Sequence, residues 1–155
     1  MQAAGILRLT LARESTMTPS QIETVRSTFA QLAPVAPQAA ALFYHHLFEA
    51  DPKLRHLFTG DMLQQGDRLM TMIGTAVRML DQPAALLPVL RSLGGRHATY
   101  GVTTSHYDTV GGALLKTLSQ GLGSAWNADA EEAWTRVYGV IRGTMLEGAK
   151  ATATA

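Results

Sequence analysis

Gly95-Arg96-His97-Ala98-Thr99-Tyr100-Gly101-Val102 is the stretch on which the reading of this chain turns. Leu90, Leu93 and His97 fall at i, i+3 and i+7, which puts the imidazole on the apolar stripe of a helix. Gly94 and Gly95 precede it, so side chains are missing one turn away, where a flat, bulky group could come close. Imidazole is a common ligand of haem iron. Spacing by itself, however, fits a hydrogen-bonded core histidine better than a ligand, and the surrounding sequence has to decide.

Outward from that stretch the apolar spacing is helical, with no sustained period-two alternation. His97 closes a leucine-rich helix from Leu86 to about Thr99 that Gly101 ends. Thr103-Thr104-Ser105 offers caps for the next helix, through Leu118 to Leu122, stopped by Gly121 and Gly123. Asn127 caps a last helix whose Ala133, Val137, Ile141 and Met145 face inward. On the N-terminal side, Thr18-Pro19-Ser20-Gln21 has the order of a capping box. It starts a helix carrying Ile22, Val25 and Phe29 that ends before Pro34. A second helix runs from Pro37 to about Ala50. A short turn from Asp51-Pro52 to Phe58 comes next, broken at Thr59-Gly60-Asp61. The helix after it is long, with Leu69, Met72, Ile73, Ala76, Val77 and Leu80 as its stripe, and Asp81-Gln82-Pro83 closes it. These elements predict an all-α domain of seven or eight helices, without repeats or an internal boundary.

Composition narrows what such a domain can do. The chain has 155 residues, 46% hydrophobic and 16% charged, which suits one domain with a full core. A net charge of +1 without a basic run argues against nucleic acid as a partner. There is no cysteine, which removes disulfides, thiolate zinc sites and iron–sulfur clusters. No apolar run reaches the length of a bilayer span. Met1 to Thr16 holds the short apolar stretch Ala3-Ala4-Gly5-Ile6-Leu7, but Arg8 and Arg13 interrupt the residues after it, a poor secretory signal. Residues 1–16 read as an extension, and the helix punctuation after Met17 slightly favours Met17 as the start. The expected division is 1–16 extension, 17–150 domain and 151–155 tail, in a cytoplasmic protein. Of the five histidines, His45, His46, His56 and His106 read as surface or boundary residues.

Three separated segments, in order, resemble the globin family, specifically bacterial single-domain haemoglobins and the haem domains of flavohaemoglobins. They are Phe43-Tyr44-His45-His46-Leu47-Phe48-Glu49-Ala50-Asp51-Pro52 continuing to Leu57-Phe58, the opening stretch with Tyr107 and Val110-Gly111, and Ala133-Trp134-Thr135-Arg136-Val137-Tyr138-Gly139. The likeness covers nearly all of Met17 to Lys150. It implies the globin arrangement of helices around haem b, with His97 as the proximal iron ligand. It also implies that Phe58 packs on the porphyrin, Leu69 lies over the iron, and Val102 and Tyr107 contact the haem.

The same resemblance implies further roles. Tyr44 would aim its hydroxyl at the distal ligand, with Gln65 as the second distal polar group and Gln64 as the competing residue. Tyr107 and Glu147 would hydrogen-bond towards His97 from behind; a carboxylate there makes the imidazole a stronger donor to iron. Arg68 and Arg96 are candidates for the propionates, or ordinary surface arginines. The functions implied are reversible binding of dioxygen, nitric oxide or carbon monoxide, or nitric oxide dioxygenation to nitrate, with peroxidase-like activity in the same enzymatic class. Because the chain ends at Ala155, the enzymatic reading expects an external flavin reductase. A haem-free signalling module is the third alternative, disfavoured by His97, Phe58 and Tyr44. Monomer and homodimer are both compatible with this reading.

Overall fold

Thr18 begins the first helix with the expected reciprocal cap: its hydroxyl accepts from the Gln21 N–H at 3.1 Å, and Gln21 Oε1 accepts from the Thr18 N–H at 3.0 Å. The structure is a computed structural model that describes residues 17–154, so the extension read at 1–16 lies outside the described residues. Helix α1 spans Pro19–Leu32, and a 3-10 turn, Ala33–Val35, leads into α2, Ala36–Ala50. A second 3-10 turn, Pro52–Leu57, precedes α3, Met62–Arg78, and α4, Pro83–Thr99. Helix α5, Thr104–Leu122, the 3-10 turn Gly123–Ala125 and α6, Ala128–Thr154, complete the order. Thr103 and His106 cap α5 reciprocally, and Asn127 Oδ1 accepts from the Ala130 N–H at 2.9 Å to start α6.

The fold is all-α, as the sequence predicts, with six α-helices and three 3-10 turns among the described residues in place of seven or eight helices. Two details differ from the sequence reading. Gly121 does not stop α5 but lies inside it, where a Cβ would come within 2.9 Å of Leu32 Cδ2. The stop is Gly123, at φ +56°. Helix α6 also continues through 151–154, the stretch read as a tail. Among the described residues, no helix is long and apolar enough to cross a membrane.

Helices α4 and α6 form the most extensive pairing in the molecule. Their glycines explain why. A Cβ on Gly94 would stand 1.9 Å from the Met145 carbonyl oxygen, and one on Gly148 would stand 1.9 Å from the Arg91 carbonyl oxygen. The two backbones touch directly at both points. A Cβ on Gly95 would meet a side chain instead, standing 2.5 Å from Thr152 Oγ1. The space beside His97 is therefore not kept for a flat ligand, as the sequence suggested; α6 fills it. The side chain is missing because a backbone passes.

Arg26 ties α1 to the end of α3. Its guanidinium donates to the carbonyls of Val77 at 3.3 Å and Arg78 at 2.8 Å, and to Asp81 Oδ1 at 2.9 Å. Last-turn carbonyls lack helical partners, and a cation meets them favourably. One apolar cluster, with Val25, Leu118, Trp134 and Val137, fills the α1–α5–α6 end. A second gathers Phe43, Tyr44, Leu47, Phe48 and Leu54; a third gathers Ala76, Leu86, Leu90, Tyr107 and Met145.

Candidate functional site

Between these clusters lies a cavity of about 240 Å³, lined almost wholly by apolar side chains. Tyr44 and Phe58 bound it on the α2 side, Leu69 comes from α3, His97 from α4, Tyr107 from α5 and Met145 from α6. Val102, between α4 and α5, also lines it, and its N–H donates to the His97 carbonyl at 3.1 Å.

His97 is half-buried, and its Nδ1 lies 2.9 Å from the Leu93 carbonyl. A carbonyl only accepts, so Nδ1 carries the proton and Nε2 keeps its lone pair. Burial lowers the imidazole's pKa below its usual value; the Leu93 bond pulls the other way, and the Arg96 charge lowers it slightly further. A neutral ring whose second nitrogen is fixed by a backbone acceptor is the form that ligates a metal.

Across the cavity, Tyr44 is buried among aromatic rings. Phe43 and Phe58 meet it edge-on at centroid distances of 5.2 and 5.3 Å, and Phe48 stacks at 5.9 Å. Desolvation pushes its phenol up to about 12, against a small lowering by Arg68, so at neutral pH the hydroxyl keeps its proton and can donate. It does so to the backbone carbonyl of Gln65, at a long 3.3 Å. The Gln65 side chain turns away: its Nε2 donates to the Thr59 carbonyl at 3.1 Å, and it does not line the cavity. The distal amide expected from the sequence is thus held in the turn at Gly60 and reaches Tyr44 through its main chain. Gln64, the competing residue, is exposed.

Tyr107 has a buried hydroxyl without a hydrogen-bond partner, and burial raises its pKa. Glu147 does not join it. That carboxylate is 64% exposed and lies 3.3 Å from Arg91 Nε. A long side chain near the end of α6 reaches solvent and a cation more cheaply than it enters an apolar cavity. Arg68 and Arg96 are both exposed, each close enough to act on Tyr44 or His97 respectively.

Two histidines add to the sequence reading. His46, read as a surface or boundary residue, is instead buried against α5, with Nε2 at 2.8 Å from Gln120 Oε1. His106 lines the cavity, with Nδ1 accepting from the Thr103 N–H at 3.0 Å. The second was findable, because the third residue after a capping Thr is drawn back over the helix start, beside Val102.

The cavity residues suit a haem. Its apolar walls match a macrocycle, Phe58 supplies an aromatic contact, His97 offers a free lone pair, and the Tyr107 hydroxyl is a buried group still lacking a partner. The globin family model matches residues 41–145. The chain belongs to the globin family. A flavohemoprotein of Chromobacterium violaceum is 32% identical to this globin over 131 residues, covering 80% of the chain and 32% of that protein. One of Bacillus subtilis is 30% identical over 123 residues, covering 77% and 31%. Neuroglobin of Dissostichus mawsoni is 29% identical over 140 residues, covering 81% and 88%. The chain spans about a third of the length of the flavohemoproteins it matches and most of the length of neuroglobin. Globin membership implies a haem-binding protein.

Proposed function

We propose that this globin holds haem b on His97 and reversibly binds dioxygen, and with it nitric oxide or carbon monoxide, on the Tyr44 side. The observation that carries the reading is the His97 Nδ1–H bond to the Leu93 carbonyl, which leaves Nε2 unprotonated beside the cavity. Haem, when bound, supplies a ferrous iron with a coordination position open to a diatomic gas. The chain's own residues set what happens there. Apolar walls keep water out, so a hydrogen bond made inside counts for more than one in bulk solvent. Tyr44 stays protonated and is only weakly tethered at 3.3 Å, free to turn its O–H towards a gas ligand. The same reading takes 17–150 as the globin domain of a cytoplasmic protein, monomeric or homodimeric.

The second reading is nitric oxide dioxygenation with a separate flavin reductase, or a related peroxidase-like activity, and the resemblance to flavohemoproteins favours it. The position of Glu147 weighs against it: Arg91 and solvent take the carboxylate, so His97 leans on a neutral carbonyl rather than an anion. A weaker electron donor behind the iron suits reversible binding better than activation.

The visible spectrum of the purified protein tests the assignment. His97→Ala is expected to abolish the Soret band, with partial return on adding imidazole; an unchanged band overturns His97 as the ligand. Nitrate formation under nitric oxide and oxygen, with a generic flavin reductase, separates the two readings. A single stoichiometric burst is expected, and sustained turnover makes the protein an enzyme.

A further inference from the structure

We propose that His45, His46 and Glu49 on α2 form a site for a divalent cation of the borderline class, Zn²⁺ or Cu²⁺, distinct from the gas cavity. One coordinating atom from each residue lies within 4.8 Å of one from both others. His45 Nε2 stands 3.1 Å from Glu49 Oε2 one turn on, and these two side chains are 67% and 65% exposed. Exposed pairs at this spacing are common and by themselves hold nothing firmly.

His46 makes the difference. It is only 7% exposed, and its Nε2 lies 2.8 Å from Gln120 Oε1 on α5. An amide oxygen only accepts, so Nε2 carries the proton and Nδ1 is left with a bare lone pair. That nitrogen is buried and has no hydrogen-bond partner. A buried acceptor with nothing to accept is costly, and a cation is one group that satisfies it. Gln120 then acts as the outer hydrogen-bond partner that fixes the tautomer and orientation of a metal-ligating histidine.

Two imidazoles and one carboxylate select the metal class. Magnesium and calcium want oxygen donors throughout, whereas zinc and copper accept nitrogen readily. A tetrahedral zinc with bonds of about 2.0–2.2 Å needs its ligand atoms roughly 3.3–3.5 Å apart. The exposed His45 and Glu49 can close that gap by rotating, and water takes the fourth position. None of the three residues lines the cavity that suits haem, so cation and haem do not compete.

The test is calorimetric titration of the haem-loaded protein with ZnCl₂, together with electron paramagnetic resonance of one equivalent of Cu²⁺ on the ferric form. One cation per chain and copper splitting from two nitrogens are expected. His45→Ala and Glu49→Gln, both at exposed positions, should each weaken zinc at least tenfold with the Soret band unchanged. His46→Gln should remove one nitrogen from the copper signal, while His56→Ala, in the exposed turn, changes nothing. A copper signal with a single nitrogen, or zinc affinity that survives His45→Ala, overturns the site. Because the readout is the added cation, its failure leaves the assignment of His97 untouched.

Discussion

The two walls of the cavity are built on different principles. Behind His97, α4 and α6 meet backbone to backbone at Gly94 and Gly148, with no side chain between them to adjust. On the Tyr44 side, contact runs through side chains: four aromatic rings at 5.2–5.9 Å and one hydrogen bond at 3.3 Å. A backbone contact cannot yield to an added methyl group, whereas a cage of rings can repack around a lost atom. The wall that holds the imidazole is stiff, and the wall that faces the gas is adjustable.

The largest expected effect belongs to the stiff wall. Gly94→Ala or Gly148→Ala forces the helices apart, and overpacking of this kind typically costs about 1–3 kcal/mol or more; urea unfolding measures it. The loss belongs at the top of that range, because the clash is with backbone. Gly112 and Gly139, with nothing within 4 Å of a built Cβ, are the controls. Alanine at either should stabilise its helix by up to about 1 kcal/mol. Equal responses at Gly94 and Gly112 would dissolve the contrast between the walls.

Tyr44→Phe probes the adjustable wall. Its bond to Gln65 is long, so unfolding free energy should change by no more than about 1 kcal/mol. Oxygen dissociation, measured by stopped flow, should speed up about tenfold, equivalent to about 1.4 kcal/mol of ligand stabilisation. An unchanged rate would remove the hydroxyl from the ligand's surroundings.

Much of this arrangement is legible in the sequence. Tyr44, Phe58, Leu69, His97, Val102 and Tyr107 all line one cavity, because helical spacing and the resemblance fix which side of a helix a residue occupies. What spacing does not fix is what stands opposite. Gly94 and Gly95 announce missing side chains, but not that the α6 backbone fills the gap at Gly94 and the Thr152 hydroxyl the one at Gly95. His46 looks like half of an exposed pair because α2 packs on α3 and α5 at once, so a residue off its main stripe is still covered. Gln65 and Glu147 carry long side chains with alternative partners close by, Thr59 and Arg91, and helix position leaves that choice open.

Acidity offers a smaller, signed test. Burial lowers the pKa of His97, so the unfolded chain binds a proton there more readily than the native apoprotein does. The contribution is fully present above the ordinary imidazole value of about 6.5 and is lost as pH falls through the folded value. In the apoprotein, His97→Phe should flatten that part of the stability profile, measured by denaturant midpoint against pH. A profile parallel to wild type would show that other groups set it.

The smallest effect is expected at Glu147. With the carboxylate on Arg91, Glu147→Gln should change stability by less than about 0.5 kcal/mol. It should also leave the iron–histidine stretching frequency of the haem-loaded protein in place. A shift in that frequency would mean the carboxylate reaches His97 once haem is bound, and the contrast between the walls would then extend to their charge.

Arg26 carries a consequence for how the molecule meets ionic strength. Two of its three bonds end on the carbonyls of Val77 and Arg78, and only the third ends on a carboxylate. Mobile ions screen a pair of exposed opposite charges but weaken a directed bond to a backbone oxygen far less. The pairs Arg91–Glu147 and Arg142–Asp108 have no such support among the described residues. In concentrated salt those two should fade while the strap between the first and third helices holds.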